Sequence, residues 1–206
     1  VDEVKNAVNN GFSEVTLLGQ NVNSYKYEDE NFSNLLENVA KVSGIKRIRY
    51  TSPHPQDISL ELLDVMSKYD NICNSIHLPL QSGSDRVLKR MNRTYSSDHF
   101  ISLSKIIRKK LPNAGISTDI IVGFPGETED DFLNTLRVMQ EVKFDSAFTF
   151  KYSPRKGTKA LEYDDQLSED VKQRRLEEVI SLQKSHTLDR NQKFIGKIEN
   201  VLVEKE

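Results

Sequence analysis

Apolar and polar residues follow one another along the chain in a pattern that predicts alternating strands and helices. Short apolar runs flanked by turn residues predict strands, over 12–18, 46–50, 75–78, 115–122 and 146–152. Apolar residues at helical spacing predict helices around these runs, over 1–10, 34–42, 58–68, 85–91, 96–110, 129–142 and 168–192. A final apolar run predicts one more strand, over 195–203.

This repeated strand–loop–helix order predicts an α/β protein with a parallel sheet. We expect its apolar strands to be buried on both faces, because helices cover both faces of such sheets. A βα barrel, closed or open, and a doubly wound sheet both agree with the pattern. In either fold the functional loops lie at the carboxyl ends of the strands.

Composition and charge narrow the class of protein. The 29 lysines and arginines against 31 acidic residues give a net charge of -2, so any RNA contact must come from local patches. No apolar run is long enough to cross a bilayer, and we expect a cytoplasmic protein that binds neither membrane nor DNA. The single cysteine, Cys73, excludes an internal disulfide and a metal site of several cysteines within this sequence. Because the sequence starts at Val1 without a methionine, we expect it to be a fragment.

Five loops that follow predicted strands are rich in small and hydrogen-bonding residues. Each loop alone is more typical of a turn or a helix cap, whereas five on one face favour a polar organic ligand. The loops are 19–21, 51–54, 81–84, 123–127 and 153–158.

Charged residues at unusual positions are further candidates for a ligand-binding site. Asp119 lies inside a predicted strand, where a carboxylate needs a partner, and either a ligand ribose or an ion pair with Arg49 would provide one. Arg47 and Arg49 share one face of a strand, which indicates an anionic or RNA-facing interior. A basic stripe is typical of a solvated helix face but could instead meet phosphates, and it comprises Arg86, Lys89, Arg90 and Arg93.

The histidines do not have the spacing of a metal site, and only His54, in a loop between two prolines, is expected near a substrate. The strand ends carry no lysine suited to a Schiff base and no carboxylate cluster suited to a metal. A hydrolase or an aldolase is therefore disfavoured.

The loops themselves resemble those of the radical S-adenosylmethionine (SAM) methylthiotransferases, in order and over nearly the whole chain. The motifs that carry this resemblance are EVTLLGQNVNSY at 14–25, YTSPHP at 50–55, HLPLQSGS at 77–84, MNRTY at 91–95, STDIIVGFPGET at 117–128 and YSPRKGT at 152–158. Within the family, GQNVNSY and TSPHP are similar to the MiaB branch, which methylthiolates N6-isopentenyladenosine at position 37 of tRNA. Sister branches modify a ribosomal protein aspartate or threonylcarbamoyl-adenosine in tRNA.

The resemblance implies a partial, open βα barrel of the radical SAM type that lacks its first strand, over 1–192. It also implies that 193–206 begin a TRAM RNA-binding β-barrel. One strand cannot form that barrel, so we expect it to remain unpaired or to pair abnormally. We also expect the strand edge at 12–18 to be exposed, which could allow the fragment to self-associate.

The cofactors implied are SAM and [4Fe–4S] clusters, and the partners are the tRNA anticodon stem-loop and an electron donor. A three-cysteine motif holds the radical cluster in this family, and it is absent here, so the fragment itself is expected to be inactive and to ligate no metal. The alternatives are a sister branch of the family and a SAM- or nucleoside-binding α/β module without radical chemistry.

The resemblance also implies roles for individual residues. Gln20, Asn21 and Ser52 would lie near the SAM amino group, and Arg93 would pair with the SAM carboxylate. Gln81 and Asp119 would contact the ribose, and Gly123 would let the adenine approach the backbone. The residues expected near the substrate are His54, Arg49, Tyr152, Ser153 and Arg155.

Overall fold

The computed structural model describes residues 1–51, 53–199 and 201, and its strands and helices alternate as an α/β protein. The strands are β1 (Glu14–Leu17), β2 (Lys26–Tyr27), β3 (Glu30–Asn31), β4 (Arg47–Tyr50), β5 (Ser75–His77), β6 (Gly115–Val122) and β7 (Ser146–Lys151). The α-helices are α1 (Asp2–Asn9), α2 (Phe32–Ala40), α3 (Leu60–Lys68), α4 (Asp85–Arg90), α5 (Ser97–Lys110), α6 (Glu129–Val142) and α7 (Glu169–Asn191). The predicted order is confirmed up to α7, and the short β2–β3 hairpin is an addition to it.

Parallel pairing runs through the long strands. β1 pairs with β4, and β6 lies between β5 and β7, all in parallel register. The two groups are connected at Ile48, whose N–H donates to Asn71 O (2.8 Å) and whose carbonyl accepts from Cys73 N (2.9 Å). Because all these strands run the same way, their carboxyl ends lie along one edge, where the loops collect.

The strands are buried on one face only, so the prediction of burial on both faces is wrong. Along β6, Ile116, Thr118, Ile120 and Val122 are buried, while the intervening residues are partly exposed. The helices pack on the buried face, and the other face carries Asp119 and its polar neighbours. β1 is likewise only half-buried, and within the described residues it pairs with β4 alone.

Side-chain caps fix where the helices begin. The N-cap hydroxyls of Ser59, Ser84, Ser96, Thr128 and Ser168 each accept a backbone N–H of the first turn. Thr128 and Asp131 also form a capping box at the start of α6. These caps fix the residue at which each preceding loop ends.

The predicted strand over 195–203 is not formed in the part that the structure describes. Residues 195–199 and 201 are irregular, and Ile195, Ile198 and Val201 are largely exposed. An apolar run becomes a strand only when a neighbour supplies hydrogen bonds, and the described chain places none beside it. Asn200 and residues 202–206 lie outside the described residues.

No helix among residues 1–51, 53–199 and 201 is both long enough and apolar enough to cross a membrane.

The loop between β5 and α4 packs so closely on α6 that Gly83 has no room for a side chain. Its N–H donates to Thr135 Oγ1 (2.9 Å), and a Cβ there would lie 2.5 Å from Thr135 Cα. We expect Gly83→Ala to lower the free energy of unfolding by about 3 kcal/mol, the cost of overpacking backbone against backbone. Urea titration followed by circular dichroism measures this change.

Gly115→Ala is the matched control, because the nearest atom to a Cβ there, Asn74 O, is 3.9 Å away. A Gly83→Ala protein as stable as Gly115→Ala would show that the loop can move away from α6.

Candidate functional site

A cavity of about 1300 Å³ opens at the carboxyl ends of β6 and β7. Its walls come from the loop after β5, from α4 and the turn after it, from the end of β6, and from β7 with the segment beyond it. The lining residues are Gln81, Arg86, Lys89, Arg90, Met91, Asn92, Arg93, Asp119, Ile121, Phe124, Phe150, Lys151, Tyr152, Ser153, Arg155, Thr158, Lys159, Ala160 and Tyr163.

Gln81 is held in the wall by backbone pairing with β6. Its N–H donates to Asp119 O (2.8 Å), and its carbonyl accepts from Ile121 N (2.9 Å). Gln81 has a left-handed φ of 66°, which is costly for a side chain with a Cβ and is seen mainly at functional or turn positions. The constraint keeps Gln81 beside Asp119 at the floor of the cavity.

Asp119 lies on the open face of β6 and contacts His77. The Asp119 Oδ2 to His77 Nε2 distance is 3.2 Å, and His77 Nδ1 lies 3.0 Å from Ser117 Oγ. Both side chains of the Asp119–His77 pair are 27% exposed, so the carboxylate still has a face open to a ligand. This pairing gives Asp119 the partner that a carboxylate inside a strand needs, while Arg49 pairs with Glu14 (2.9 Å).

The loop between β6 and α6 is closed by a buried ion pair. Glu127 Oε2 accepts from Gly123 N (2.6 Å) and from Arg175 Nη1 of α7 (2.7 Å). Neither side chain has more than 4% exposure. Burial raises the pKa of Glu127, although the Gly123 N–H and Arg175 act in the opposite direction. The loop is therefore anchored to α7 through two groups that water does not reach.

Gly123 is required by this same packing. Its φ is +73°, and a Cβ would lie 2.4 Å from Lys172 Cγ of α7. The side of Gly123 where a side chain would project is thus filled by α7, and Gly123 does not line the cavity, whereas its neighbour Phe124 does.

The segment after β7, residues 153–167, forms the outer wall of the cavity, and we call it the strap. Asp165 fastens it twice, by its carboxylate to Arg90 Nη2 (2.8 and 3.0 Å) and by its carbonyl to Gly126 N (2.8 Å). The Arg90 guanidinium also lies 4.5 Å from the Tyr163 ring centroid. The strap is therefore bound to both α4 and the loop before α6.

Asp131 connects the starts of α4 and α6. It accepts from Ser84 Oγ and from the Arg86 guanidinium, and it caps α6 through Thr128. Burial acts against the charged form, yet these hydrogen bonds outweigh it and lower the pKa of Asp131 well below its usual range. Asp131 therefore stays ionised and fixes Arg86 at the cavity wall.

The cavity brings together half of the residues expected from the sequence. Gln81, Arg93, Asp119, Tyr152, Ser153 and Arg155 all line it. Gln20 and Asn21 are exposed in the loop after β1, and Arg49 is paired on β4. His54 lies in the loop after β4, where its N–H donates to Asn23 Oδ1 (2.8 Å), and these four residues are outside the lining. Ser52 lies outside the described residues.

Sequence reasoning missed several lining residues and the partner of Asp119. The basic stripe of α4 and the turn after it was a signal for Lys89, since all four of its residues line the cavity. Lys159 and Tyr163 carried no signal, because their position depends on how the strap folds back, and Phe150 carried none because it lies within the apolar run of β7. His77 is 42 residues from Asp119, and only the pairing of β5 with β6 brings the two together.

The described residues contain no group of three or more His, Cys, Asp or Glu side chains placed to hold a metal ion. Cys73 is a free, half-buried thiol. The polar groups of the cavity suit an organic ligand better than an ion held by protein ligands.

A profile of the radical SAM superfamily matches residues 1–139. Two curated relatives are both called tRNA-2-methylthio-N(6)-dimethylallyladenosine synthase. The one from Clostridium botulinum (strain Loch Maree) is 47% identical over 206 residues, and the one from Thermodesulfovibrio yellowstonii is 49% identical over 204. These alignments cover 98% and 99% of this chain but 46% and 47% of the relatives, so the chain spans about half of their length.

Solved structures of low sequence identity share the fold. Coproporphyrinogen III oxidase from Escherichia coli, described as a radical SAM enzyme, superposes with a TM-score of 0.64 at 17% identity. It is matched over 90% of this chain and 45% of its own length. Methylornithine synthase superposes with a TM-score of 0.58 at 21% identity, over 90% of this chain and 53% of its own.

The anchoring of the loop before α6 can be tested at Arg175. Arg175→Ala leaves Glu127 buried without its cation, and we expect the free energy of unfolding to fall by about 3–5 kcal/mol. Chemical denaturation followed by circular dichroism measures it.

The neighbouring Arg174 provides the control, because it is 47% exposed and also bonds Glu129. Arg174→Ala should cost less than about 1 kcal/mol. Equal losses for the two variants would mean that the buried pair does not anchor the loop.

Proposed function

Because this chain belongs to the radical SAM superfamily, we propose that the protein containing it is a tRNA methylthiotransferase. Its reaction would add a methylthio group to C2 of N6-isopentenyladenosine at position 37 of tRNA. The observation that carries this proposal is the cavity, which collects Gln81, Arg93 and Asp119 at the carboxyl ends of parallel strands. The relatives at 47–49% identity, whose name describes this product, support the reaction and the tRNA partner.

The chemistry of the cavity agrees with SAM as its ligand. Arg93 would pair with the SAM carboxylate, since a guanidinium matches that group in charge and shape. Asp119 would accept hydrogen bonds from the ribose hydroxyls, and the Gln81 amide would donate to them. Gly123 lies outside the lining, so the adenine would approach the backbone at its neighbour Phe124 instead. Bound SAM supplies the radical precursor and the methyl group, while the residues of this chain bind it, orient it and exclude water.

The remaining predicted residues keep their proposed roles on the same rim. Gln20, Asn21 and Ser52 would lie near the SAM amino group when the site is complete. Tyr152, Ser153, Arg155, Arg49 and His54 would lie near the tRNA substrate.

The [4Fe–4S] cluster, unlike SAM, does not fit the side chains of this chain. A [4Fe–4S] cluster needs cysteine thiolates, and this sequence has only Cys73. The cluster ligands would therefore belong to residues other than these 206, together with the contact for the electron donor.

The architecture proposed for the parent protein extends the observed fold. The five parallel strands β1, β4, β5, β6 and β7 would be part of an open βα barrel, which a further strand beside β1 would extend. The exposed edge of β1 supports this, and that edge would also allow the isolated chain to self-associate. Residues 193–206 would begin a TRAM domain in a cytoplasmic enzyme.

The cofactor roles can be tested at Asp119 in the full-length protein with its clusters. Asp119→Asn keeps the size of the side chain but removes its charge and one acceptor, so SAM affinity should fall by about tenfold, which is the loss of one charge-assisted hydrogen bond. Equilibrium dialysis with labelled SAM measures this, and iron content should stay unchanged.

Asp29→Asn, in the exposed turn of the β2–β3 hairpin, is the control and should bind SAM normally. If Asp119→Asn bound SAM as tightly as this control, Asp119 would have no place in the cofactor site.

The reaction itself can be tested by analysing tRNA nucleosides. Cells without the gene should lose 2-methylthio-N6-isopentenyladenosine and accumulate N6-isopentenyladenosine, since the substrate would no longer be consumed. Mass spectrometry of digested tRNA separates the two. Normal levels of the methylthio nucleoside would argue against the proposed reaction, and loss of a methylthio-threonylcarbamoyl nucleoside instead would indicate the sister branch.

A further inference from the structure

We propose that Lys89, Arg155 and Lys159 form a phosphate-binding rim that holds a single-stranded RNA segment over the cavity. This inference rests on the proposed function and names the residues that would contact the backbone of the RNA.

The cavity contains more positive charge than its own carboxylates neutralise. Three of its cations have carboxylate partners, since Arg86, Arg90 and Lys151 pair with Asp131, Asp165 and Glu169. Within residues 1–51, 53–199 and 201, no carboxylate lies within ion-pair distance of the other four, which are Lys89, Arg93, Arg155 and Lys159. Asp119 is the one carboxylate in the lining, and it contacts His77.

SAM accounts for only one of these four cations. Its one anionic group is a carboxylate, which Arg93 would bind, and its amino and sulfonium groups are positive. Additional cations would oppose the binding of such a ligand at close range. Lys89, Arg155 and Lys159 are therefore in excess of what the cofactor needs, and they fit a second, polyanionic ligand.

The three residues come from two segments that line the cavity. Lys89 belongs to α4, while Arg155 and Lys159 belong to the strap. The Arg155 carbonyl accepts from Thr158 Oγ1 (2.8 Å), which forms the turn that leads to Lys159. Because Arg90 and Asp165 join the strap to α4, the two segments that carry these cations keep their spacing before a ligand arrives.

Aromatic rings between the cations favour RNA over an acidic peptide. Phe150 lines the cavity and is 51% exposed, so its ring face is open to a base. Tyr163 also lines the cavity, and behind it lies the buried ring of Phe124, 6.4 Å away between ring centroids. Proteins that hold single-stranded RNA combine backbone cations with aromatic rings in this manner, since unstacked bases gain from such surfaces.

The test measures binding of an anticodon stem-loop RNA to the full-length protein over a range of salt concentrations, by fluorescence anisotropy. The slope of log K against log salt is negative, and each lost phosphate contact to a single strand makes it less steep by about 0.7. The triple variant K89A/R155A/K159A should therefore make it less steep by about 2. At moderate salt its affinity should fall by about tenfold or more. Affinity for SAM should remain that of the wild type.

Lys109→Ala controls for the loss of a surface charge. Lys109 is exposed in the last turn of α5, before β6 and away from the cavity, and its removal should leave both RNA and SAM binding unchanged. The single variant Lys159→Ala should give about a third of the change in slope, and it guards against a folding defect in the triple variant.

Three results would overturn the rim while leaving the proposed reaction in place: an unchanged slope in the triple variant, a parallel loss of SAM affinity, and competition by polyglutamate as strong as that by RNA. A wild-type protein that binds no anticodon RNA would overturn the rim and the proposed function together.

Discussion

The site depends on one buried interaction, the ion pair between Glu127 and Arg175. It joins the loop after β6 to α7, two segments that are 48 residues apart in sequence, and it also holds the N–H of Gly123. The pair is costly, since burial raises the pKa of Glu127 even with a guanidinium beside it. Apolar side chains of similar volume could pack there at less cost. The ion pair contributes a defined geometry. Two hydrogen-bonding groups in a dry environment fix one loop conformation, where apolar contacts would allow several.

The remaining walls follow from that loop. Gly126 binds the strap through the Asp165 carbonyl, and Thr128 and Asp131 start α6 and position Arg86. Parallel strands bring the carboxyl ends together, but the hydrogen bonds among these loops convert an edge of a sheet into a cavity with defined walls. The open face of β6 and β7 completes the cavity. That face of the sheet carries Asp119 and Phe150, and the helices pack on the other face.

Local signals were sufficient to predict most of the fold. β6 and α6 begin and end where the sequence indicates, since each has a clear apolar pattern and α6 has a strong capping box. The apolar run at 195–203 had the same local pattern but is not a strand in its described part, because a strand also requires a neighbour. The prediction that strands are buried on both faces was wrong for a related reason. An apolar composition indicates that a strand is covered, but it does not indicate on how many faces.

The site was predictable where chemistry is carried by a motif and unpredictable where it depends on long-range contact. The resemblance selected Gln81, Arg93 and Asp119, and all three line one cavity. The contact of His77 with Asp119 and the position of Lys159 depend on strand pairing and on the path of the strap. No spacing in the sequence indicates either.

The double fastening of the strap has a consequence for how two ligands would influence one another. Asp165 binds Gly126 in the loop before α6 and Arg90 in α4, so the strap cannot move without disturbing both. A ligand that orders the loop would also reduce the entropy still to be lost when a second ligand meets the strap. If that ordering occurs, the two ligands would bind with positive cooperativity, by the same factor in each direction.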